Sequence, residues 1–340
     1  MKREAYKLKF AGSINNLKLV SDELPEPNHD ELTVGVKAIG LNYADVFCIL
    51  GLYKAAPKTN LIPGLEFSGM VIKKGSSVSE FEIGDRVYGA TKFGGYVSHI
   101  NINKLYLLKL QDDWTFEEGA AFIVQSLTAY YALVVLGEIN SSKNILIHSA
   151  AGGVGIYANR IAKKFNAFTI GTVGRKYKLE LLRQEGYDKG ILRSSRLKND
   201  ILNALNSRSI DIVLDTVGGK VFKTCFNLLA PAGRIICYGG GDFSTGNYSS
   251  NYLKLAYKYF SRPKIDPLRM IEQNRAVMAF NLIWLYEKGE YLKSLLKEII
   301  KLELPKPLIG QSYVFEELPE AVRHFKSGKT MGKVVIKTGI

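Results

Sequence analysis

The chain has 340 residues, of which 46% are hydrophobic and 23% charged, and its formal net charge is +14. That length accommodates two domains with cores of their own, and that balance excludes a disordered or fibrous chain. The 46 Lys and Arg residues are scattered, with no run of five like charges and no Arg-rich tail. This weighs against nucleic acid as a partner despite the basicity.

At the N-terminus, Met1-Lys2-Arg3-Glu4-Ala5 is not followed by an apolar h-region, so no signal peptide is expected. Cys48, Cys225 and Cys237 lack metal-ligand spacing and are expected to pack as thiols in a reducing compartment. A cytoplasmic protein is the resulting expectation. Residues 1–118 read as mostly β, with apolar alternation at Leu32–Ala38, Gly69–Lys73 and Arg86–Ala90 between Gly, Pro, Asn and Asp. Ala120–Leu136 is apolar and near the minimum spanning length. It carries Gln125, Ser126 and Thr128 and is flanked by Glu117, Glu118 and Glu138. A buried helix joining two domains is expected there, not a membrane span. From about 140 the pattern alternates strand and helix. Candidate strands are 144–148, 168–173, 211–215, 233–238 and about 277–283. This is the βαβ pattern of a doubly wound parallel sheet, so the fold class is α/β. A helix at Tyr291–Leu302, a Pro-containing loop, a helix at Leu318–Lys326 and a strand at Gly332–Lys337 complete the chain.

The most informative stretch is Asn144 to Gly155, NILIHSAAGGVG. An apolar run ends in a glycine-rich turn, and a helical face of Val154, Ala158, Ile161, Ala162 and Phe165 follows. Read as G-x-G-x-x-G, the key positions are Ala150, Gly152 and Gly155, with alanine in the first slot. Strand, turn and helix together point to dinucleotide binding, with pyrophosphate at the helix N-terminus. An ordinary tight turn satisfies the same pattern. About 20 residues on, where an NAD site usually carries an acid, this chain has Gly174-Arg175-Lys176-Tyr177-Lys178. A basic cluster pairs with a 2′-phosphate, so NADPH is the expected cofactor. The same run also reads as a solvated helix start. Asp215-Thr216-Val217-Gly218-Gly219 and Tyr238-Gly239-Gly240-Gly241 follow later strands, at the ends where ligands bind in such sheets.

With these motifs belong Gly40-Leu41-Asn42-Tyr43-Ala44-Asp45, Gly51-Leu52-Tyr53, Pro63-Gly64-Leu65-Glu66-Phe67-Ser68-Gly69, Gly84-Asp85-Arg86-Val87, Gln125–Tyr130 and Gly328–Val335. In this order the chain resembles the medium-chain dehydrogenase/reductase superfamily over almost its whole length. The branch it resembles is the zinc-independent quinone oxidoreductases, called ζ-crystallin-like. Asn274–Leu282 also resembles vesicle-amine-transport-protein-like members. The resemblance implies a GroES-like β-rich substrate domain at 1–118 and 285–340. A Rossmann domain at 119–284 would be inserted in it, with the active site in the cleft between. It implies a homodimer through an edge strand near 277–283.

In the zinc enzymes of the superfamily, metal ligands occupy the slots of Asn42, Leu65 and Val124. None of these residues suits zinc, which takes thiolate, imidazole or carboxylate, so no metal is expected. By the same resemblance Asn42, Asp45 and Tyr53 line the substrate side of the cleft. Tyr53 reads as proton or oxyanion donor, or as an aromatic wall. Asn42 reads as an amide donor or the maker of a local turn bond. Asp45 reads as a structural acceptor. On the cofactor side the resemblance places Thr128 near the nicotinamide ribose and Ala151, Gly152, Gly153 and Val154 at the pyrophosphate. Gly174, Arg175 and Lys178 fall at the 2′-phosphate, with Arg193 where the family often has tyrosine. Tyr238 and Gly239 border the cofactor, and Phe280 and Asn281 reach toward the carboxamide. The implied reaction is hydride transfer from NADPH to a quinone or enone. An enoyl-thioester reductase and a non-catalytic NADPH-binding protein are the alternatives.

Overall fold

The computed structural model describes residues 1–243 and 251–339. In chain order the β-rich part runs β1 (Lys2–Phe10), β2 (Leu17–Glu23), β3 (Glu31–Gly40), α1 (Tyr43–Ile49), β4 (Thr59–Leu61), β5 (Glu66–Lys74), β6 (Arg86–Ala90), β7 (His99–Asn103) and β8 (Leu107–Lys109). After α2 (Phe116–Gly119) and α3 (Ile123–Tyr130), the alternating part runs β9 (Asn144–Ile147), α4 (Gly153–Lys164), β10 (Phe168–Val173), α5 (Leu179–Gln184), β11 (Lys189–Leu192), α6 (Leu197–Leu205), β12 (Ile210–Asp215), α7 (Gly219–Leu228) and β13 (Leu229–Cys237). Then come α8 (Tyr252–Phe260), α9 (Pro267–Gln273), β14 (Ala276–Ala279), α10 (Gly289–Lys301), β15 (Ile309–Val314), α11 (Leu318–Lys326) and β16 (Lys333–Lys337).

The alternating part forms a six-stranded, all-parallel sheet in the order β11-β10-β9-β12-β13-β14. The crossover from β11 back to β12, beside β9, opens a crevice at the strand ends. That is where such sheets bind ligands. β9 is buried from Ile145 to Ile147, as a central strand covered on both faces must be. α4 turns Ile156, Tyr157, Ala158, Ile161 and Ala162 inward, with the predicted Val154 and Phe165 at the margin of the same core. The predicted strand at 277–283 ends at Ala279, because Asn281 caps a 3-10 turn over Leu282–Leu285. β11 escapes the sequence pattern, since only Ile191 of its four residues is buried.

The β-rich part forms a three-stranded sheet, β2-β1-β4, and a seven-stranded one, ordered β15-β16-β3-β5-β6-β8 with β7 on β3. Its last two strands come from the C-terminal tail, so the β-rich lobe is discontinuous in sequence. The apolar run at 116–136 is 72% buried over its most hydrophobic window. α3 continues into a π-helical turn at Tyr131–Leu136 and packs between α4 and α10. Burial among other helices, rather than lipid, explains its composition.

Candidate functional site

The glycine-rich turn is built around strain. Ser149 takes a left-handed φ of 53°, a cost of order 1–3 kcal/mol that surrounding structure must hold. Its carbonyl accepts from Gly152 N (2.9 Å), and its hydroxyl accepts from Thr216 (2.9 Å). Tyr187 braces the turn from below, donating to Gly155 O at 2.7 Å. A Cβ on Gly153 would stand 1.7 Å from Gln125 Oε1, and one on Gly155 2.7 Å from Ala150 Cα. Backbone crowding makes glycine a packing requirement at 155, whereas at 153 the end of the Gln125 side chain occupies the space. The first N–H groups of α4 have no helical carbonyl to bond and face the crevice with the positive end of the helix dipole.

Beside the turn, past the ends of β10 and β11, three cations converge. Lys178 Nζ donates to Gly328 O (2.8 Å) and Thr330 O (2.5 Å), and Tyr177 donates to Lys329 O. Arg175 reaches Ser327 O. The basic run thus docks on the loop before β16 rather than waving in solvent. Burial, with Arg175 and Arg193 nearby, lowers the Lys178 ammonium to about 8. Arg193 is held by its backbone on β10, N to Val173 O at 2.8 Å. Its guanidinium leans over Gly174, where a Cβ would lie 3.1 Å from Nη2. Its Nη1 is buried with no hydrogen-bond partner.

Further along the strand ends, the Asp215 carboxylate accepts from Val217 N (2.8 Å) and Gly218 N (3.1 Å). Burial raises its pKa above the usual carboxylate range despite these bonds. Gly239 lets the β13 loop approach Thr216. Tyr238, Phe280 and Tyr131 form an aromatic wall, with centroids 5.8 and 4.9 Å apart. Thr128 turns its hydroxyl onto its own helix, to Val124 O at 2.6 Å. Ala151 is buried, and its carbonyl accepts from Gly332 N at 2.9 Å. His148 is fully buried, with its ring nitrogens on Thr172 (2.7 Å) and Cys225 (3.1 Å). Burial drives it down to about 3, so it stays neutral.

On the β-rich side, Tyr53 crosses the cleft. Its hydroxyl donates to Asn281 Oδ1 at 2.7 Å. Burial raises the phenol well above its usual range, so it keeps its proton. The two residues, expected separately at substrate and carboxamide, meet each other directly. Asn42 differs from the reading as a free amide donor. Its Nδ2 donates to Gly40 O (3.3 Å) and Glu66 Oε1 (2.9 Å), and its Oδ1 accepts from Lys333 Nζ (2.9 Å). Both amide hydrogens are spent inside the wall. Asp45 Oδ2 accepts from Asn42 N (2.8 Å) at the start of α1. Its other oxygen is buried against the Tyr96 phenol. Burial raises its pKa to about 7, against the pull of the Asn42 N–H and Lys333.

Several participants escaped sequence reasoning. Lys333 is one charged residue ahead of the apolar run Val334-Val335-Ile336, and that irregularity was its only signal. Gln125, a polar residue inside an apolar helix, was visible as an anomaly but had no assigned partner. Tyr187 and Ser149 carried no signal.

Residues 28–111 match the family model described as the alcohol dehydrogenase GroES-like domain. Residues 186–336 match one described as a zinc-binding dehydrogenase. The synaptic vesicle membrane protein VAT-1 homolog of Homo sapiens is 30% identical over 333 residues, covering 96% of this chain and 84% of that protein. The chain belongs to the medium-chain dehydrogenase/reductase superfamily, in its quinone oxidoreductase and VAT-1-like branch. Among solved structures, the Escherichia coli quinone oxidoreductase complexed with NADPH superposes with a TM-score of 0.86 at 26% identity, over 99% of this chain and all of that one. The CurK enoyl reductase superposes at 0.84 and 25% identity, over 98% and 99%.

The superfamily includes zinc enzymes, but the residues in this chain do not fit the metal. By the resemblance Asn42, Leu65 and Val124 stand where its ligands would, and an amide and two aliphatic side chains offer zinc none of its usual donors. The adjacent Glu66 has both oxygens engaged: Oε1 by Lys333 and Asn42, Oε2 by Val124 N at 3.0 Å. An ammonium ion, not a metal, neutralises that carboxylate. Among the described residues no group of three His, Cys, Asp or Glu could hold a metal ion. NADPH does fit. The free backbone N–H groups at the start of α4 suit a pyrophosphate, and the unpaired Arg193 nitrogen beside Lys178 suits a phosphate dianion.

Proposed function

We propose that the protein is a zinc-independent, NADPH-dependent reductase of a quinone or α,β-unsaturated carbonyl. The observation that carries this reading is the cluster of Arg175, Lys178 and Arg193, with a buried guanidinium nitrogen that lacks a partner. Bound NADPH supplies a hydride to the electron-poor carbon of the acceptor. Gly153 and Val154 hold the pyrophosphate through backbone N–H groups, while Lys178 and Arg193 hold the 2′-phosphate. Tyr53 keeps a proton on its phenol oxygen and offers it to the negative charge that develops on the acceptor oxygen. In the free protein that proton is given to Asn281 Oδ1 of the opposite lobe, so the acceptor oxygen must displace Asn281 as its partner. Asn42 and Asp45 hold the start of α1 and thereby the approach to Tyr53.

The experiment is a titration with NADPH and NADH, followed by turnover on a quinone, a small enone and a crotonyl thioester. Tight NADPH binding with quinone or enone turnover supports the proposal, and thioester preference moves it to enoyl reduction. Failure to bind either dinucleotide overturns it.

One observation favours a second reading, an NADPH-binding protein with little turnover. On α8, α9 and the segment joining them, Leu253, Tyr257, Phe260, Leu268 and Ile271 are 70–87% exposed. Lys254, Arg262, Lys264 and Arg269 lie among them. Apolar side chains interleaved with cations suit an anionic lipid surface. NADPH binding without turnover on any acceptor, with co-sedimentation on phosphatidylserine vesicles, would favour this reading.

A further inference from the structure

The wall of the cleft contains a buried ion pair that the reaction as described does not use. Lys333 and Glu66 have side chains only 2% and 1% exposed, and they are in direct contact. Replacing such a pair by apolar groups is often neutral or stabilising, because the cost of desolvating two charges rivals their attraction. Stability alone therefore gives little reason for its presence.

Its location offers one. Lys333 follows Gly332, whose N–H donates to Ala151 O at 2.9 Å and which forms a parallel bridge with Gly152. Gly332 has a φ of 59°, and a Cβ there would stand 2.4 Å from Leu308 O, so the backbone is pinned against the pyrophosphate turn. From that anchor the Lys333 side chain, at the start of β16, runs into the β-rich lobe to which β16 itself belongs. Its ammonium bonds Glu66 Oε1 and, at 2.9 Å, Asn42 Oδ1. Glu66 Oε2 accepts from Val124 N at the start of α3 (3.0 Å). Asn42 in turn caps α1 together with Asp45. α1 delivers the chain to Tyr53 through a tight turn, Leu52 N to Phe47 O at 2.8 Å. A continuous set of hydrogen bonds thus runs from the pyrophosphate turn through Lys333 to the α1 segment.

We propose that Lys333 is a positioning residue that couples cofactor occupancy of the pyrophosphate turn to the placement of α1 and Tyr53, acting through Asn42 and Glu66. It touches neither cofactor nor acceptor, and this role rests on the NADPH reading above. Each of its partners is polar, directional and buried, so a shift at Gly152 cannot be absorbed by solvent. Methionine fills much of the volume of lysine without its charge, and glutamine keeps the shape of Glu66 without a carboxylate. Lys333→Met alone leaves a buried unpaired carboxylate and is expected to destabilise the protein strongly. The double variant Lys333→Met/Glu66→Gln removes both charges and keeps the fold testable.

The measurement is hydrogen exchange with and without NADPH, read at residues 150–156 and 43–53, alongside turnover. In the wild-type protein NADPH should slow exchange in both segments. The double variant should keep protection at 150–156, lose it at 43–53, lose kcat, and shift NADPH affinity by about 5- to 150-fold, the usual range of coupling between two sites. Wild-type-like protection at 43–53 in the double variant, or none there in the wild type, overturns the coupling. No NADPH-dependent protection at 150–156 in the wild type overturns the cofactor reading and the coupling together. Protection without turnover overturns only the reductase reading, and the exchange pattern of the double variant still decides the role of Lys333.

Discussion

Removing Arg193 should move cofactor affinity and protein stability independently. Its Nη1 is buried and unpartnered, and burial lowers the pKa of the guanidinium although Asp215 lies near enough to offset part of the shift. In the free protein that cation is therefore under-compensated. A hydrogen bond to a charged group contributes about 1.5–3 kcal/mol, so one lost contact to a 2′-phosphate raises Kd by about 10- to 150-fold. Arg193→Met should weaken NADPH by that factor and leave NADH nearly unchanged. The cofactor-free variant should unfold at the same temperature as the wild type or higher, because a costly buried charge has been removed. Fluorescence titration with each dinucleotide and thermal unfolding without ligand are sufficient. Equal weakening of NADPH and NADH would refute the assignment of Arg193 to the 2′-phosphate.

Tyr53→Phe should reduce turnover by about 10²- to 10⁴-fold, the usual worth of a positioned proton donor, with NADPH affinity intact; stopped-flow oxidation of NADPH tests this, and unchanged turnover would remove Tyr53 as the donor. Lys178 is lowered from 10.5 to about 8 in the free protein by burial and its cationic neighbours. An anion needs the protonated form, so NADPH affinity should be highest below about pH 8 and fall as pH rises toward 10.5, while NADH affinity stays level. Lys178→Met should flatten that dependence, and parallel pH profiles for the two cofactors would count against it. Gly155→Ala would bring a methyl within 2.7 Å of Ala150 Cα and 2.8 Å of Ser149 O. Overpacking of that kind costs about 1–3 kcal/mol, and it should weaken both dinucleotides together, as a calorimetric titration can show.

What could be read from the sequence was what depends on neighbours in the chain. Strand β10 at Phe168–Val173 and helix α11 at Leu318–Lys326 have the bounds their patterns predict, because an apolar period reports which face is buried. The strand–turn–helix of 144–155 was legible for the same reason. The pattern failed where burial was partial, as in β11, and where a cap intervened, as at Asn281 ahead of the turn that follows β14. The contacts that give the cleft its chemistry are of another kind. Tyr53 meets Asn281 across 228 positions, Lys178 meets Thr330 across 152, and Lys333 meets Glu66 across 267. Each residue alone had an ordinary local role: an aromatic wall, a solvated helix start, a charge at a strand end. Periodicity identifies the buried face of an element, but not which polar group of a distant element will share the same dry space. Only the strand order and the return of the C-terminal tail beside β3 bring these groups together. Once they are buried, the cost of leaving a donor or a charge unpaired dictates the pairs they form.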